Sequence, residues 1–147
     1  MKIPLKICAV FLVVALVAAP MVSAEKTTGY TVRPSSGNAS EVTILVTDSV
    51  SQGETNRHQF YVGNGVNWLE VYHDWKDSSD SLTLTIYTPE WVKIGTFHDI
   101  DDGVIDGKIH IDIVPDNGYV ESGVWTFDVY GERVATQRTY DLNIYQH

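Results

Sequence analysis

Downstream of residue 41 apolar and polar residues alternate with a period of two, and the helical period of 3.6 is absent from almost all of it. Val42, Ile44 and Val46 alternate with Thr43 and Thr47, and His58, Phe60 and Val62 with Gln59 and Tyr61. Leu69 and Val71 alternate with Glu70 and Tyr72, a phase that carries His73 and Trp75 to the apolar side. Leu82, Leu84 and Ile86 form the cleanest run, with Thr83 and Thr85 between them. Ile109, Ile111 and Ile113 follow, then Trp125, Phe127 and Val129, and Tyr140, Leu142 and Ile144 close the series. A weaker strand, Val92 to Phe97, fits between the fourth and fifth of these. Turn residues separate the runs, as in Gln52-Gly53-Glu54, Gly63-Asn64-Gly65 and Pro115-Asp116-Asn117-Gly118. About eight short strands, each with one apolar face, cannot bury those faces in one open sheet. Two sheets packed face to face can, so residues 41–147 are predicted to form an all-β, antiparallel, jelly-roll-like sandwich.

The first 24 residues follow another rule. Lys2 and Lys6 precede an unbroken apolar run from Ile7 to Ala19, Pro20 ends it, and Val22-Ser23-Ala24 supplies small residues for cleavage. A helix of that length spans roughly 20 Å, short of the ~30 Å hydrocarbon core, so a removable signal peptide (1–24) is expected and no stable membrane insertion after cleavage. Residues 25–40, rich in Thr, Ser, Gly and Asn, read as a flexible leader, in which Asn38-Ala39-Ser40 is a glycosylation acceptor. The single cysteine, Cys8, lies inside the signal, so disulfides cannot stabilise the exported domain. Lys and Arg total 10 against 19 Asp and Glu, a formal net charge of −9 that becomes more negative once Lys2 and Lys6 are removed. That charge repels nucleic acid and anionic membranes.

Four segments in order resemble the bacterial and archaeal pre-peptidase C-terminal domain. Gln52-Gly53-Glu54-Thr55 leads into His58-Gln59-Phe60-Tyr61-Val62, like that family's Gly-Glu turn and aromatic strand. Leu69-Glu70-Val71 through Asp80-Ser81-Leu82-Thr83-Leu84-Thr85-Ile86-Tyr87-Thr88-Pro89-Glu90 is similar to its central unit, in which one strand leads to a second strand and turn. Gly123-Val124-Trp125-Thr126-Phe127-Asp128-Val129-Tyr130-Gly131, and then Tyr140-Asp141-Leu142-Asn143-Ile144, resemble its two closing strands. The departure is Trp91, where the family pattern has glycine after the acidic residue. The resemblance implies a β-sandwich accessory domain of secreted exoenzymes that does no chemistry, with calcium bound by some relatives and insoluble polymers by others.

The residues themselves carry no hydrolase signature: no Gly-x-Ser-x-Gly elbow, no His-Glu-x-x-His pair, and no thiol after cleavage. His58 and His73 fall on core faces, where hydrogen-bonded structural histidines are expected. Asp99, Asp101, Asp102 and Asp106, with Gly103 and Gly107, form the densest acidic cluster, either a solvated loop or an oxygen cage for calcium. Trp75 and Trp125 share the phase of the aliphatic core. Trp68 and Tyr72 lie on polar faces and Trp91 on a loop; these three are the candidate ligand-binding residues, with cross-strand packing as the alternative. The expected function is a secreted, non-catalytic binding or accessory module for an extracellular protein or cell-surface polymer. The alternative is a structural subunit of a surface layer or filament.

Overall fold

A computed structural model describes residues 29–37 and 44–147. The signal segment, its cleavage site and Asn38 lie outside the described residues. Nine strands run in chain order: β1 Tyr30–Pro34, β2 Ile44–Val50, β3 Thr55–Val62, β4 Leu69–Asp74, β5 Ser81–Tyr87, β6 Lys93–Phe97, β7 Lys108–Pro115, β8 Gly123–Arg133 and β9 Arg138–Gln146. One sheet has the order β1-β7-β4-β9-β2 and the other β3-β8-β5-β6, with every pairing antiparallel. The expected sandwich is the observed architecture, and the described residues contain no α-helix.

The core follows the alternation. Leu82, Leu84 and Ile86 of β5 meet Trp125, Phe127 and Val129 of β8 on the inner side of the four-stranded sheet. Leu69 and Val71 of β4, Ile109, Ile111 and Ile113 of β7, and Leu142 and Ile144 of β9 line the opposing sheet. Trp125 is fully buried, as its phase required, and its indole Nε1 donates to the Glu121 carbonyl at 2.8 Å.

Within the stretch 25–40 expected as a flexible leader, the described residues 29–37 include a strand. Tyr30–Pro34 forms β1, paired with β7 from Tyr30↔Pro115 to Pro34↔Ile111. Tyr30 holds it there: the ring is buried edge-on against Trp125 at 5.4 Å, and its hydroxyl accepts the Glu121 N–H at 3.1 Å. Pro34 is tolerated because β1 is an edge strand.

The two inward histidines differ. His58 Nε2 lies 2.7 Å from the Tyr140 hydroxyl, the hydrogen-bonded arrangement expected. His73 is fully buried between Trp75 and Tyr140, and neither ring nitrogen has a hydrogen-bond partner among the described residues. Burial pushes its pKa from 6.5 down to about 3, with His58 adding to the shift. The folded protein therefore keeps His73 neutral over a range in which the unfolded chain takes up a proton. No stability is lost to this site above the ordinary pKa of 6.5; below it, stability falls as pH drops, levelling off near pH 3. The slope approaches about 1.4 kcal/mol per pH unit. His73→Leu should lose less stability than the parent between pH 7.5 and 4.5 in denaturant titrations. Equal losses in the two proteins would remove His73 as the cause.

Candidate functional site

On the outer face of the five-stranded sheet, β4 presents Glu70 and Tyr72. Glu70 stands opposite Asp112 of β7 and Tyr145 of β9, and Tyr72 opposite His110 and Asn143. Glu70 is only 3% exposed although it points away from the core. Its two oxygens are taken by two imidazoles, His110 Nε2 at 2.7 Å and His147 Nε2 at 2.9 Å. Trp68 stacks parallel on His147 with centroids 4.4 Å apart, and Tyr72 meets His110 edge-on at 5.0 Å. Gly37, Glu70, Tyr72, His110 and Tyr145 line a shallow cleft of about 190 Å³. A side chain at position 37 would collide with the His110 ring, so glycine there lets the chain close over it. Asp112 adds a second buried carboxylate, with Oδ2 3.5 Å from Arg33 and Oδ1 without a partner among the described residues.

Two of the three aromatic candidates, Trp68 and Tyr72, thus meet around one carboxylate, but each is engaged with a histidine. Both are half-buried. Glu70, His110 and His147 were not foreseen. An alternating strand assigns Glu70 to solvent, and it is covered by His110 of β7 together with His147, which extends the β9 pairing by donating its N–H to the Trp68 carbonyl at 3.1 Å.

Trp91 lies on the other sheet. The turn after β5 closes with Trp91 N donating to Thr88 O at 2.9 Å, and Thr88 N to Val92 O at 2.9 Å. That geometry puts Trp91 at a φ of 63°, in the left-handed region. For a bulky side chain it costs roughly 1–2 kcal/mol, and for glycine almost nothing. The indole is nonetheless 55% exposed. The Arg57 guanidinium sits over it at 5.3 Å, and the Tyr87 ring lies 5.9 Å away. Arg57 is itself fixed by Asp128 through Nε and Nη2, both at 2.8 Å.

The acidic loop uses its carboxylates separately. Asp99 accepts the N–H groups of Asp106 and Gly107, each at 3.0 Å. Asp101 accepts the His98 N–H at 2.7 Å at the start of a short 3₁₀ turn, Asp99–Asp102. Asp102 accepts from Val104 and His110, and Asp106 pairs with Lys108 at 3.0 Å. The nearby Asp77 and Asp80 clamp Arg138, at 2.7 and 2.6 Å. Among the described residues no group of three or more His, Cys, Asp or Glu is arranged to hold a metal.

No family model matches the chain. It is 40% identical over 53 residues to an uncharacterised protein of Archaeoglobus fulgidus, an alignment covering 35% of this chain and 74% of that protein. Among solved structures the Clostridium perfringens CspB protease superposes with a TM-score of 0.53 at 14% identity, over 69% of this chain and 25% of the protease. That likeness is one of fold, and the chain spans about a quarter of the protease's length.

Two measurements follow from this geometry. Trp91→Gly should melt within a few degrees of the parent, because relief of about 1 kcal/mol of backbone strain offsets a lost cation–π contact of about 0.5–1 kcal/mol. A large drop would make Trp91 a packing element. Calcium chloride and sodium chloride at equal ionic strength should raise the melting temperature equally, because the loop carboxylates already have donors. An extra rise in calcium, lost in Asp101→Asn with Asp106→Asn, would instead establish an ion site there.

Proposed function

This chain belongs to the same family as the uncharacterised Archaeoglobus fulgidus protein, and from its fold and surface we propose that it is a secreted, non-catalytic binding module for extracellular material. In this reading it is built on the plan of the pre-peptidase C-terminal domain. Support for the plan comes from the order of the matching segments and from the two-sheet fold, which a protease structure also contains.

The observation that carries the reading is Trp91. A large apolar side chain is held in a conformation suited to glycine, and more than half of its surface faces solvent. Strain of this kind persists where surrounding structure enforces it, and it concentrates at ligand-binding positions. The Arg57–Asp128 pair fixes the ring, so an incoming partner meets an anchor that is already ordered. The Glu70 cleft supports the reading less, because its aromatic rings are spent on His110 and His147.

Sedimentation with insoluble extracellular materials tests the proposal: fibrillar collagen, crystalline chitin and microcrystalline cellulose. The protein should be retained by at least one of them, and Trp91→Gly should weaken that retention about tenfold with the fold intact. Retention by none, or undiminished retention of Trp91→Gly, would overturn it.

A further inference from the structure

The outer face of the four-stranded sheet carries two more exposed aromatic rings besides Trp91. Tyr61 of β3 is 61% exposed and Tyr130 of β8 38% exposed. Both occupy the outward phase, because Phe60 and Val62 of β3, and Val129 and Gly131 of β8, point inward. The register places the two tyrosines apart: Tyr61 stands opposite Val124, and Tyr130 opposite Thr55. Six residues of strand separate those levels, about 20 Å at ~3.4 Å per residue. Arg57↔Asp128 and Gln59↔Thr126 lie between them, and Tyr87 pairs with Thr126. Trp91 touches Arg57 and Tyr87, so its ring sits between the two tyrosines. Three aromatic rings are thus spaced along one sheet face, Tyr130, Trp91 and Tyr61 in that order.

The ground between the rings is polar and electrically balanced. Gln59 presents an exposed amide, Thr85 shares its hydroxyl with Thr96, Thr83 and Thr126 lie buried beneath, and the Arg57 charge is offset by Asp128. Asp128 engages Nε and Nη2 of Arg57, which leaves Nη1 to donate elsewhere. We propose that this face is a planar binding surface for a neutral, insoluble polysaccharide, with Tyr61, Trp91 and Tyr130 as successive stacking platforms. The inference rests on the binding-module reading and assigns its ligand class. Sugar rings present C–H groups on their faces, which suit the negative face of an aromatic ring, and hydroxyl groups at their edges, which suit the exposed Gln59 amide and Arg57 guanidinium between the rings. A polymer of repeating rings can reach platforms spread over about 20 Å, whereas a protein anchor is usually one cluster in a desolvated pocket. The chain's formal net charge of −9 disfavours polyanionic polymers.

Sedimentation with microcrystalline cellulose and crystalline chitin, beside fibrillar collagen, tests this assignment. The protein should be retained by at least one of the two polysaccharides. Tyr61→Ala and Tyr130→Ala should each weaken retention about three- to tenfold, and the triple variant with Trp91→Gly should abolish it. Leu45→Ala, an exposed residue on the other sheet, serves as the control and should change nothing. Retention by collagen alone would overturn the polysaccharide assignment and leave the binding-module reading standing. Retention by none of the three would overturn both, and polysaccharide retention unaffected by the tyrosine variants would remove this face as the site.

Discussion

The structure depends on the burial of its central strands from both sides. In β8 every residue from Trp125 to Val129 is buried, and in β4 every residue from Leu69 to Val71. The inner half of that burial is the apolar core. The outer half is made by polar and aromatic side chains laid across the sheets: Arg57 and Trp91 at the Asp128 level, His110 and His147 over Glu70. Without a disulfide to restrain the described domain, these outer coverings add to what the core supplies. They also decide where the surface is rigid, since each buried outward carboxylate fixes the cation or imidazole that reaches it.

The inner half was legible in the sequence and the outer half was not. Strict alternation in Leu82–Ile86 and Trp125–Val129 gave both the strand and its inward face, because an apolar side chain facing water has no compensating partner. β1 was missed because its pattern is only five residues long, sits among Thr, Ser and Gly, and ends in Pro34; a buried Tyr30 ring decides it. Glu70 was unreadable for a different reason. Alternation says which way a side chain leaves the sheet, and nothing about what folds over it from 40 and 77 residues away. The acidic run Asp99–Asp106 shows the same limit: closeness in sequence did not bring its carboxylates onto one point, because each satisfies a different backbone amide or lysine.

Trp68 and Tyr72 on polar faces and Trp91 on a loop are the three ligand-binding candidates of the sequence, and the fold separates them. Trp68 and Tyr72 cover a histidine each on the five-stranded sheet, where losing the ring would open a buried, hydrogen-bonded carboxylate to water. Trp91 covers the guanidinium of a pair already exposed at Arg57, so its removal uncovers little. The one departure from the resembled pattern, a tryptophan where glycine is usual, is therefore the position where packing accounts least for the residue.

That difference bears on how such a surface can bind. A flexible aromatic would lose rotamer freedom on capture, at roughly 0.5–1.5 kcal/mol for each side chain immobilised. Trp91 has surrendered much of that freedom in the free protein, through its turn hydrogen bonds and the guanidinium over its ring. The strain is thus borne by folding, where a domain of this size has a core to offset it, and not by association. Tyr61 and Tyr130 are ordered in a simpler way, by the strands that carry them. A sheet face holds its rings at a fixed level and spacing, which suits a flat, rigid, repeating target better than a small or mobile one.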